Sequence, residues 1–468
     1  MRTWIAAALL VAIAATGTLA RAAAPPGSER PAYRPLRFEE DWSSFDPATG
    51  DDFWDPIKHV PLTDDGRAWA SFGGALRARV ESWQDFAFVR GNDDTFLLGR
   101  ARLHADLHVG ESFRVFVEGI SAHTTDRDLP GGRRTLDVDV LDVHNAFADL
   151  RIPLGAENGT VTLRVGRQEL LFGKQRLVSP LPWANAMRSW DAARAILELE
   201  RWRVDAFYPR YIPVQSYEFN DWGPGSNFYG VYGAGGIDVP LGLDAYVLGL
   251  ERDDVAFNGS AGDENRYSLG ARLGGALGKS GFDFDVEGTY QLGEVGSADV
   301  SAWSLASEGG YRFRETTGSP RLHLGFDYAS GDDTPADGEV ETFNQLFPLG
   351  HAYLGTMDFI GRQNVIDASA GVTVKPTEKL TVKLTGHLFW RASDEDAVYN
   401  PGGGVLRAGS HSSRSEVGQE IDLAATLAVN RHLTLEGGYS HFFPGDVIED
   451  SGPDEDVDWL YLQALYRF

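Results

Sequence analysis

The chain has 468 residues and carries 42 Lys and Arg against 68 Asp and Glu, so its net charge is −26. This acidic balance argues against a nucleic-acid binder, and the absence of cysteine excludes disulfide scaffolds, thiolate zinc sites, iron–sulfur clusters and cysteine nucleophiles. The mean hydropathy is −0.25, and beyond the N-terminus no run is long and apolar enough for a membrane-spanning helix.

The first residues have the pattern of a secretory signal peptide. Met1 and Arg2 form a short positive start, an apolar run extends from Trp4 to about Leu19, and Ala20–Ala22 fits a small-x-small cleavage site. A single membrane anchor is the alternative, but the run is short and a cleavage pattern follows it. We therefore predict an exported protein that loses residues 1–22.

Residues 23–67 show no period and are rich in proline, aspartate and aromatics, so we predict a periplasmic lead-in there. From residue 68 apolar and polar side chains alternate, as in strands with one apolar face. In one example Phe282, Phe284, Val286, Gly288, Tyr290 and Leu292 oppose Asp283, Asp285, Glu287, Thr289 and Gln291. About 18 such segments start near residues 68, 95, 112, 138, 159, 192, 202, 227, 243, 266, 281, 299, 320, 362, 379, 415, 432 and 456.

The connections between these segments alternate in length. Long ones are predicted near residues 85–94, 124–137, 170–191, 213–226, 254–265, 293–298, 331–361, 391–414 and 444–455, with short turns between them. Short periplasmic turns and long extracellular loops distinguish a membrane barrel from a soluble sandwich or propeller. The predicted fold class is all-β, a transmembrane antiparallel β-barrel of about 18 strands over residues 68–468.

The C-terminus is consistent with this fold. Residues 459–468 form a last strand that ends in an aromatic residue, Phe468, with Leu460, Leu462, Ala464 and Tyr466 on the same apolar face. Such an end resembles the signal that outer-membrane barrels present to their assembly machinery. We therefore expect a bacterial outer-membrane location, with that machinery, membrane lipid and lipopolysaccharide as partners.

The inward face should decide the function, because a barrel of this size encloses an aqueous channel. Alternation directs an arginine cluster inward: Arg77, Arg79, Arg100, Arg102, Arg164, Arg194, Arg203 and Arg272. Arginine can hold a carboxylate through two hydrogen bonds and keeps its charge, so this cluster predicts a path for an anionic solute. For any single arginine, the alternative is that it only pairs with a luminal Asp or Glu. Most of the surplus acidic residues, however, lie in the predicted loops.

Two stretches resemble the alginate-export family of outer-membrane proteins. The first joins Asp52–Leu62 and Phe72–Glu81, and the second runs over Val165–Val178 and continues through Trp183, Asn185, Arg188–Asp191 and Arg194. Trp190 stands where family members often have Phe. The resemblance implies an 18-stranded barrel whose arginine-lined pore passes a linear polyuronate outward, with periplasmic export proteins as partners. It leaves the solute open and points to Arg77, Arg79, Arg167, Arg176, Arg188, Asp191 and Arg194 as residues that line or shape the pore.

The segment Leu170–Asp191 is rich in arginine, tryptophan and proline, and we predict that it folds inward as a constriction or gate. The alternative is an outer loop that packs against the barrel rim.

Enzyme motifs are missing from the sequence. It contains neither G-x-S-x-G nor H-E-x-x-H, and Gly274–Ser280 has the wrong glycine spacing for a phosphate loop. His104 and His108 share the luminal face and are expected to line the pore. We predict no enzyme, cofactor or metal site, but a passive channel for an anionic polysaccharide or related acidic solute. The alternatives are a porin for small-solute uptake and a barrel with a closed lumen.

Overall fold

The computed structural model describes residues 30–155, 159–223, 225–238 and 241–468. The predicted signal peptide lies outside these ranges. Among the residues described, no helix is long and apolar enough to cross a membrane.

One antiparallel sheet forms a closed wall. It contains 20 strands, of which two are two-residue pieces, and the other 18 form the barrel. These are β1 (Ala68–Gln84), β2 (Asp94–Val109), β3 (Phe113–Thr124), β4 (Asp139–Pro153), β5 (Thr160–Gln168), β6 (Ser189–Glu198), β7 (Trp202–Ile212), β8 (Ser226–Asp238), β9 (Leu241–Phe257), β10 (Ser260–Ala276), β11 (Phe282–Val295), β12 (Ala298–Arg312), β13 (Arg321–Ala329), β14 (Val365–Val374), β15 (Leu380–Trp390), β16 (Glu416–Ala428), β17 (Leu433–Pro444) and β18 (Val457–Arg467). Each strand pairs with the next, and β1 pairs with β18 from Ala75–Arg467 to Gln84–Asp458, which confirms the predicted fold.

Two connections predicted to be long are tight hairpins. The strands β9 and β10 continue to a turn at Asn258–Gly259, and β11 and β12 continue to a turn at Gly296–Ser297. The predictions near 254–265 and 293–298 were wrong because Asp, Glu and Gly interrupt the apolar alternation at these strand ends, although Phe257, Val295 and Val300 pack together there. Backbone pairing continues there after the apolar alternation has stopped, and the turn residues Asn258, Gly259 and Gly296 take the positive φ that tight turns require.

The outer face explains the low average hydropathy. Val165 is 63% exposed and Leu324 70%, whereas inward-facing Arg77 is only 5% exposed. Only alternate residues of each strand face lipid, so a chain of soluble-looking composition can span a bilayer.

Short elements lie outside the wall strands. Val60–Pro61 pairs with β1, Glu339–Val340 pairs in parallel with β12, and Val398–Tyr399 pairs with Val405–Arg407. The described residues contain one short α-helix, α1 (Asp446–Ser451), and 3-10 turns at Arg37–Glu39, Pro47–Thr49, Asp55–Ile57, Phe86–Phe88, Gly350–Ala352 and Gly409–His411.

The barrel interior is largely filled from both ends. The described part of the lead-in packs inside the end with the short turns, where Arg37 donates to the carbonyl oxygens of Gly74 and Phe468 at 2.7 and 2.9 Å. Phe38 packs edge-on against Phe116 and Phe147. At the other end the loops 169–188 and 330–364 contribute to one apolar core with the wall, including Phe172, Leu177, Phe343, Leu354, Phe359, Phe389 and Trp459. The lumen is therefore narrowed by loops and is not an open tube.

Candidate substrate pathway and its arginines

Arg77 on β1 and Arg100 on β2 are direct cross-strand partners on the inward face. Like charges placed directly opposite each other destabilise a sheet unless something compensates them. Arg77 donates to the carbonyl oxygens of Pro182, Trp183 and Ala184 and to Oδ1 of Asn185, all at 2.9–3.0 Å. Arg100 donates to the Pro182 and Ala184 carbonyls at 3.1 and 2.8 Å. All these acceptors are neutral, so no carboxylate balances the charge of either guanidinium.

Arg79, two residues along β1, joins the same contact. It donates to the Trp183 carbonyl at 2.8 Å, pairs with Glu81 at 2.8 Å, and its guanidinium lies 4.0 Å from the centroid of the Trp183 ring. Asn185 anchors the loop further by donating to the carbonyls of three residues: Gly99, His123 and Asp137. The loop 169–188 is thus fixed by its main chain to the arginines of β1 and β2.

Arg102 is compensated differently. It donates to Glu118 at 2.6 Å and to Glu169 at 2.9 Å, and Asn145 donates to both carboxylates as well. Arg102, Glu118, Asn145 and Glu169 are all buried. Two acidic partners more than balance its charge, so Arg102 stabilises the wall without adding positive potential to the lumen.

Arg164 and Arg194 form a second cross-strand pair, between β5 and β6. Arg164 donates two hydrogen bonds to Asp149 at 2.7 and 2.8 Å and lies 3.8 Å from the centroid of the Phe147 ring. Arg194 donates to Asp205 at 2.8 Å. Each arginine of this pair has a carboxylate from a neighbouring strand.

The loop 169–188 also reaches the opposite wall. Arg176 donates to Asp285 at 2.7 Å and to Glu287 at 2.9 Å, both on β11, and Arg188 donates to the Pro348 carbonyl at 2.9 Å. The loop therefore crosses the lumen from β1–β2 to β11 and touches the loop 330–364. This position agrees with the predicted inward fold and differs from the alternative, a loop packed against the rim.

Arg167 and Asp191 do not lie in the lumen, so their prediction as pore-lining residues is corrected. Arg164 faces inward and Val165 outward, so Arg167 falls on the lipid-facing side, where its register partner is Asp191. The two side chains pair at 2.9 Å, and Trp222 donates from outside to Asp191 at 2.7 Å. Arg164 and Arg167 are three residues apart on one strand and therefore lie on opposite faces. A motif match alone does not show which face a residue occupies.

Two parts of the interior were not assigned a role from the sequence. Alternation placed Asp285 and Glu287 inward, but it did not reveal that an arginine of a distant loop would reach them. The loop 330–364 was predicted only as a long connection, yet Phe343, Leu354 and Phe359 are buried in the barrel core. The sequence did contain a signal for the burial of the loop 330–364, since a run of large apolar residues is unusual for a solvated loop.

Comparisons with known proteins agree with this architecture. The protein is similar in structure to OccD3 (OpdP) of Pseudomonas aeruginosa, with 14% identity, a TM-score of 0.56, and coverage of 95% of this chain and 99% of that chain. The outer membrane protein OprD from the same organism is 12% identical, with a TM-score of 0.56 and coverage of 85% of this chain and 93% of that chain. OccK2 (OpdF) of Pseudomonas aeruginosa, solved in complex with glucuronate, is 13% identical, with a TM-score of 0.56 and coverage of 85% of this chain and 98% of that chain. No curated protein sequence matches the chain.

The structural likeness establishes the fold, a closed antiparallel β-barrel like that of the outer membrane protein OprD. The sequence itself matches the profile of the alginate export family over residues 68–458, which includes nearly the whole barrel. The chain therefore belongs to the alginate export family of outer-membrane β-barrel proteins.

Proposed function

We propose that this protein conducts an anionic polysaccharide, an alginate-like polyuronate or a related acidic solute, by passive diffusion guided by charge. The observation that carries the proposal is the Arg77–Arg100 pair. Within the described residues, no carboxylate lies within ion-pair distance of either guanidinium, and both face the loop that crosses the lumen. Their positive charge is available to an anion, whereas that of Arg102, Arg164 and Arg194 is already balanced.

The loop carbonyls occupy the positions that solute carboxylates would take. Guanidinium groups present a planar set of donors that matches a carboxylate, and a carboxylate is a stronger acceptor than a neutral carbonyl. When residues 174–188 withdraw from β1 and β2, Arg77 and Arg100 become free to bind the acidic groups of a passing chain. The loop acts as a gate in this proposal, and the same two arginines hold the gate and receive the solute.

The acidic side of the lumen limits how tightly the solute is held. Asp285 and Glu287 face inward on β11, opposite the Arg77–Arg100 pair, and they bind Arg176 when the loop lies across the lumen. Conduction requires binding that is favourable enough for entry and weak enough for exit, so carboxylates that face the arginines favour transport over trapping. Family membership supports a polyuronate, and glucuronate bound to the similarly folded OccK2 is compatible with an acidic sugar.

The function can be tested with the purified full-length protein in a planar bilayer. We expect reversal potentials of an anion-selective pore and a concentration-dependent block by polyuronate oligomers, with no block by neutral oligosaccharides of the same length. A cation-selective pore that polyuronates do not block would contradict the proposal.

The gate is tested by replacing residues 174–188 with a short Gly-Ser linker. The single-channel conductance should rise several-fold, because the loop that crosses the lumen is removed. A control replaces the exposed residues 217–218 of the loop outside the barrel by Gly-Ser, keeps Asn220, and should retain the wild-type conductance. Conductance and ion selectivity that stay unchanged without residues 174–188 would reject the gate.

A second candidate is a porin for uptake of small solutes. It is favoured by the apolar core that the loops 169–188 and 330–364 build inside the barrel, because this core leaves less room for a polymer than an open barrel would. Rescue of small-sugar uptake in a porin-deficient host, without any polymer effect on conductance, would support this candidate against the first.

A further inference from the structure

A groove outside the barrel is not used by the proposed pathway. The strand β5 ends at Gln168, while β4 begins its own path at Asp139, so residues 139–145 of β4 have no β5 partner beside them. The loop between β7 and β8 fills this notch from outside, where the Ser216 carbonyl accepts a hydrogen bond from the main-chain N–H of Val140 at 3.0 Å. The result is a groove between the outer wall and an overhanging loop.

The overhanging loop is fixed in place by polar contacts, of which those of Asn220 with Asp139 and Asp142 are buried. The side-chain amide of Asn220 donates to Asp139 and Asp142, and the Trp222 indole N–H donates to Asp191. Arg167 pairs with Asp191 and donates to the Asn220 carbonyl at 3.1 Å. These bonds hold the loop without any ligand, so the groove is preformed.

The groove is apolar where it faces the membrane. Its wall is formed by Val143, Ala146 and Val165 and its roof by Phe219 and Trp222, which are 65% and 55% exposed. Val143 and Val165 belong to the lipid-facing side of the barrel, so this surface is open to the acyl chains of the membrane.

Neighbouring side chains place the groove at the outer edge of the bilayer. Tyr208, Tyr229 and Tyr267 lie on the outward face of β7, β8 and β10; the Tyr208 and Tyr229 rings stack at 6.1 Å, and the hydroxyls of Tyr229 and Tyr267 lie 3.2 Å apart. Tyrosine and tryptophan concentrate at the membrane–water interface of barrels. The groove opens toward the long-loop end, so it lies in the outer leaflet near the head groups.

A positive charge stands at its mouth. Arg210 follows Tyr208 on the outward face of β7, is exposed, and lies 4.8 Å from the centroid of the Trp222 ring. Its cross-strand partner on β6 is Asp191, whose carboxylate is already bound by Arg167 and the Trp222 indole N–H, and within the described residues no carboxylate lies within ion-pair distance of the Arg210 guanidinium. An apolar groove beside an uncompensated arginine at head-group level fits an acyl chain that is attached to an anionic head group.

We propose that this groove binds the lipid A part of one lipopolysaccharide molecule, with an acyl chain between Val143, Val165 and Phe219 and a phosphate on Arg210. The occupant follows from the position of the groove, since lipopolysaccharide forms the outer leaflet of the outer membrane. The site fastens the barrel to its own lipid and is independent of what passes through the lumen.

Native mass spectrometry of the detergent-solubilised full chain can test this, with bisphosphorylated lipid A and its dephosphorylated form as probes. The wild type should bind the phosphorylated form about tenfold more tightly, as expected for one hydrogen-bonded ion pair. Arg210→Gln should lose this preference and bind both forms alike, and Phe219→Ala should weaken both forms equally. Arg67→Gln, at an exposed arginine beside the other end of β1, serves as the control and should behave as the wild type.

The folded state of each variant is checked by the heat-dependent gel mobility of barrels. The proposal is overturned if Arg210→Gln keeps the wild-type preference for the phosphorylated form, or if Phe219→Ala binds both forms normally. Phosphatidylglycerol that competes as well as lipid A would also overturn it, because the groove would then recognise any anionic lipid.

Discussion

Two arginine pairs in the same lumen have the same local geometry and different surroundings. Arg77 and Arg100 face each other across β1 and β2, and Arg164 and Arg194 face each other across β5 and β6. The first pair donates to main-chain carbonyls and an amide of a loop, while the second donates to Asp149 and Asp205.

The difference separates structural from functional charge. A buried arginine bound to a carboxylate is electrically neutral with its partner, and its loss leaves an unpaired anion in the wall. An arginine bound to carbonyls keeps its field, and its loss leaves only neutral groups that other donors can satisfy. We therefore expect the Arg164–Arg194 pair to govern stability and the Arg77–Arg100 pair to govern ion selectivity.

The largest effect should come from Arg164→Ala. It leaves the buried carboxylate of Asp149 without its two hydrogen bonds and removes the guanidinium from the faces of Phe38 and Phe147. Breaking a buried pair on one side costs about 3–5 kcal/mol. Because Arg114 remains 3.9 Å from the Asp149 carboxylate, we expect the free energy of unfolding in lipid vesicles to fall by about 3 kcal/mol, the low end of this range. The ion selectivity of the folded fraction should stay that of the wild type.

The double variant Arg164→Met/Asp149→Leu is the matched control, because it removes both charges and keeps the volume. It should recover most of the lost stability. If Arg164→Ala is as stable as the wild type, the claim that the Arg164–Arg194 pair governs stability is wrong.

The second effect concerns Arg77→Gln/Arg100→Gln. No carboxylate loses its partner in this variant, so we expect a smaller loss, about 0.5–1.5 kcal/mol for each net hydrogen bond removed. The reversal potential in a salt gradient should shift toward cations, and block by polyuronate oligomers should weaken. Lysine at both positions should restore part of the selectivity, since it restores the charge without the planar donors.

Unchanged selectivity in the glutamine variant, with a stability loss as large as that of Arg164→Ala, would reverse the assignment of the two pairs. The measurements needed are the reversal potential and the unfolding curve of the same preparations.

Alternation was sufficient to predict the wall. It placed Arg77, Arg100, Arg164 and Arg194 on the inward face and gave the number of strands, because side-chain direction on a strand is a local property with period two. It could not predict what each arginine binds. Asp149 and Asp205 lie on adjacent strands, but the carbonyls of residues 182–184 belong to a loop about a hundred positions away in sequence.

The loops show the same limit of a local reading. The inward fold of residues 169–188 was predicted, but composition alone could not exclude packing against an outer rim, which tryptophan and arginine also suit. Arg167 and Asp191 were placed in the pore by a motif, although their strand position puts them on the lipid side. Where the family motif and the alternation of β5 disagreed, the alternation was correct.

A buried anion completes the comparison. Asp332, in the loop 330–364, is 1% exposed, and in the described part of the chain its Oδ2 has no hydrogen-bond partner. Burial, together with the nearby carboxylates of Asp396, Glu341 and Asp337, raises the pKa of Asp332 from 3.8 to about 6. Like Arg77 it is a buried charge without an opposite charge, but unlike arginine it can be neutralised by taking up a proton.

The smallest effect should therefore be a pH dependence that Asp332→Asn removes. The pKa of Asp332 is higher in the folded protein than in the unfolded chain. Between about pH 4 and pH 6 the folded state therefore keeps the proton on this carboxyl, while the unfolded state has lost it. The stability contributed by this group is fully present below about 4 and is lost as the pH rises through 6. The wild-type unfolding temperature should thus fall across this range relative to that of Asp332→Asn, which should be the more stable protein at pH 7. Asp333→Asn, at the exposed neighbour, is the control and should follow the wild type. Parallel curves for the wild type and Asp332→Asn would mean that a cation or water already stabilises the Asp332 carboxylate, and that the analogy with Arg77 does not hold.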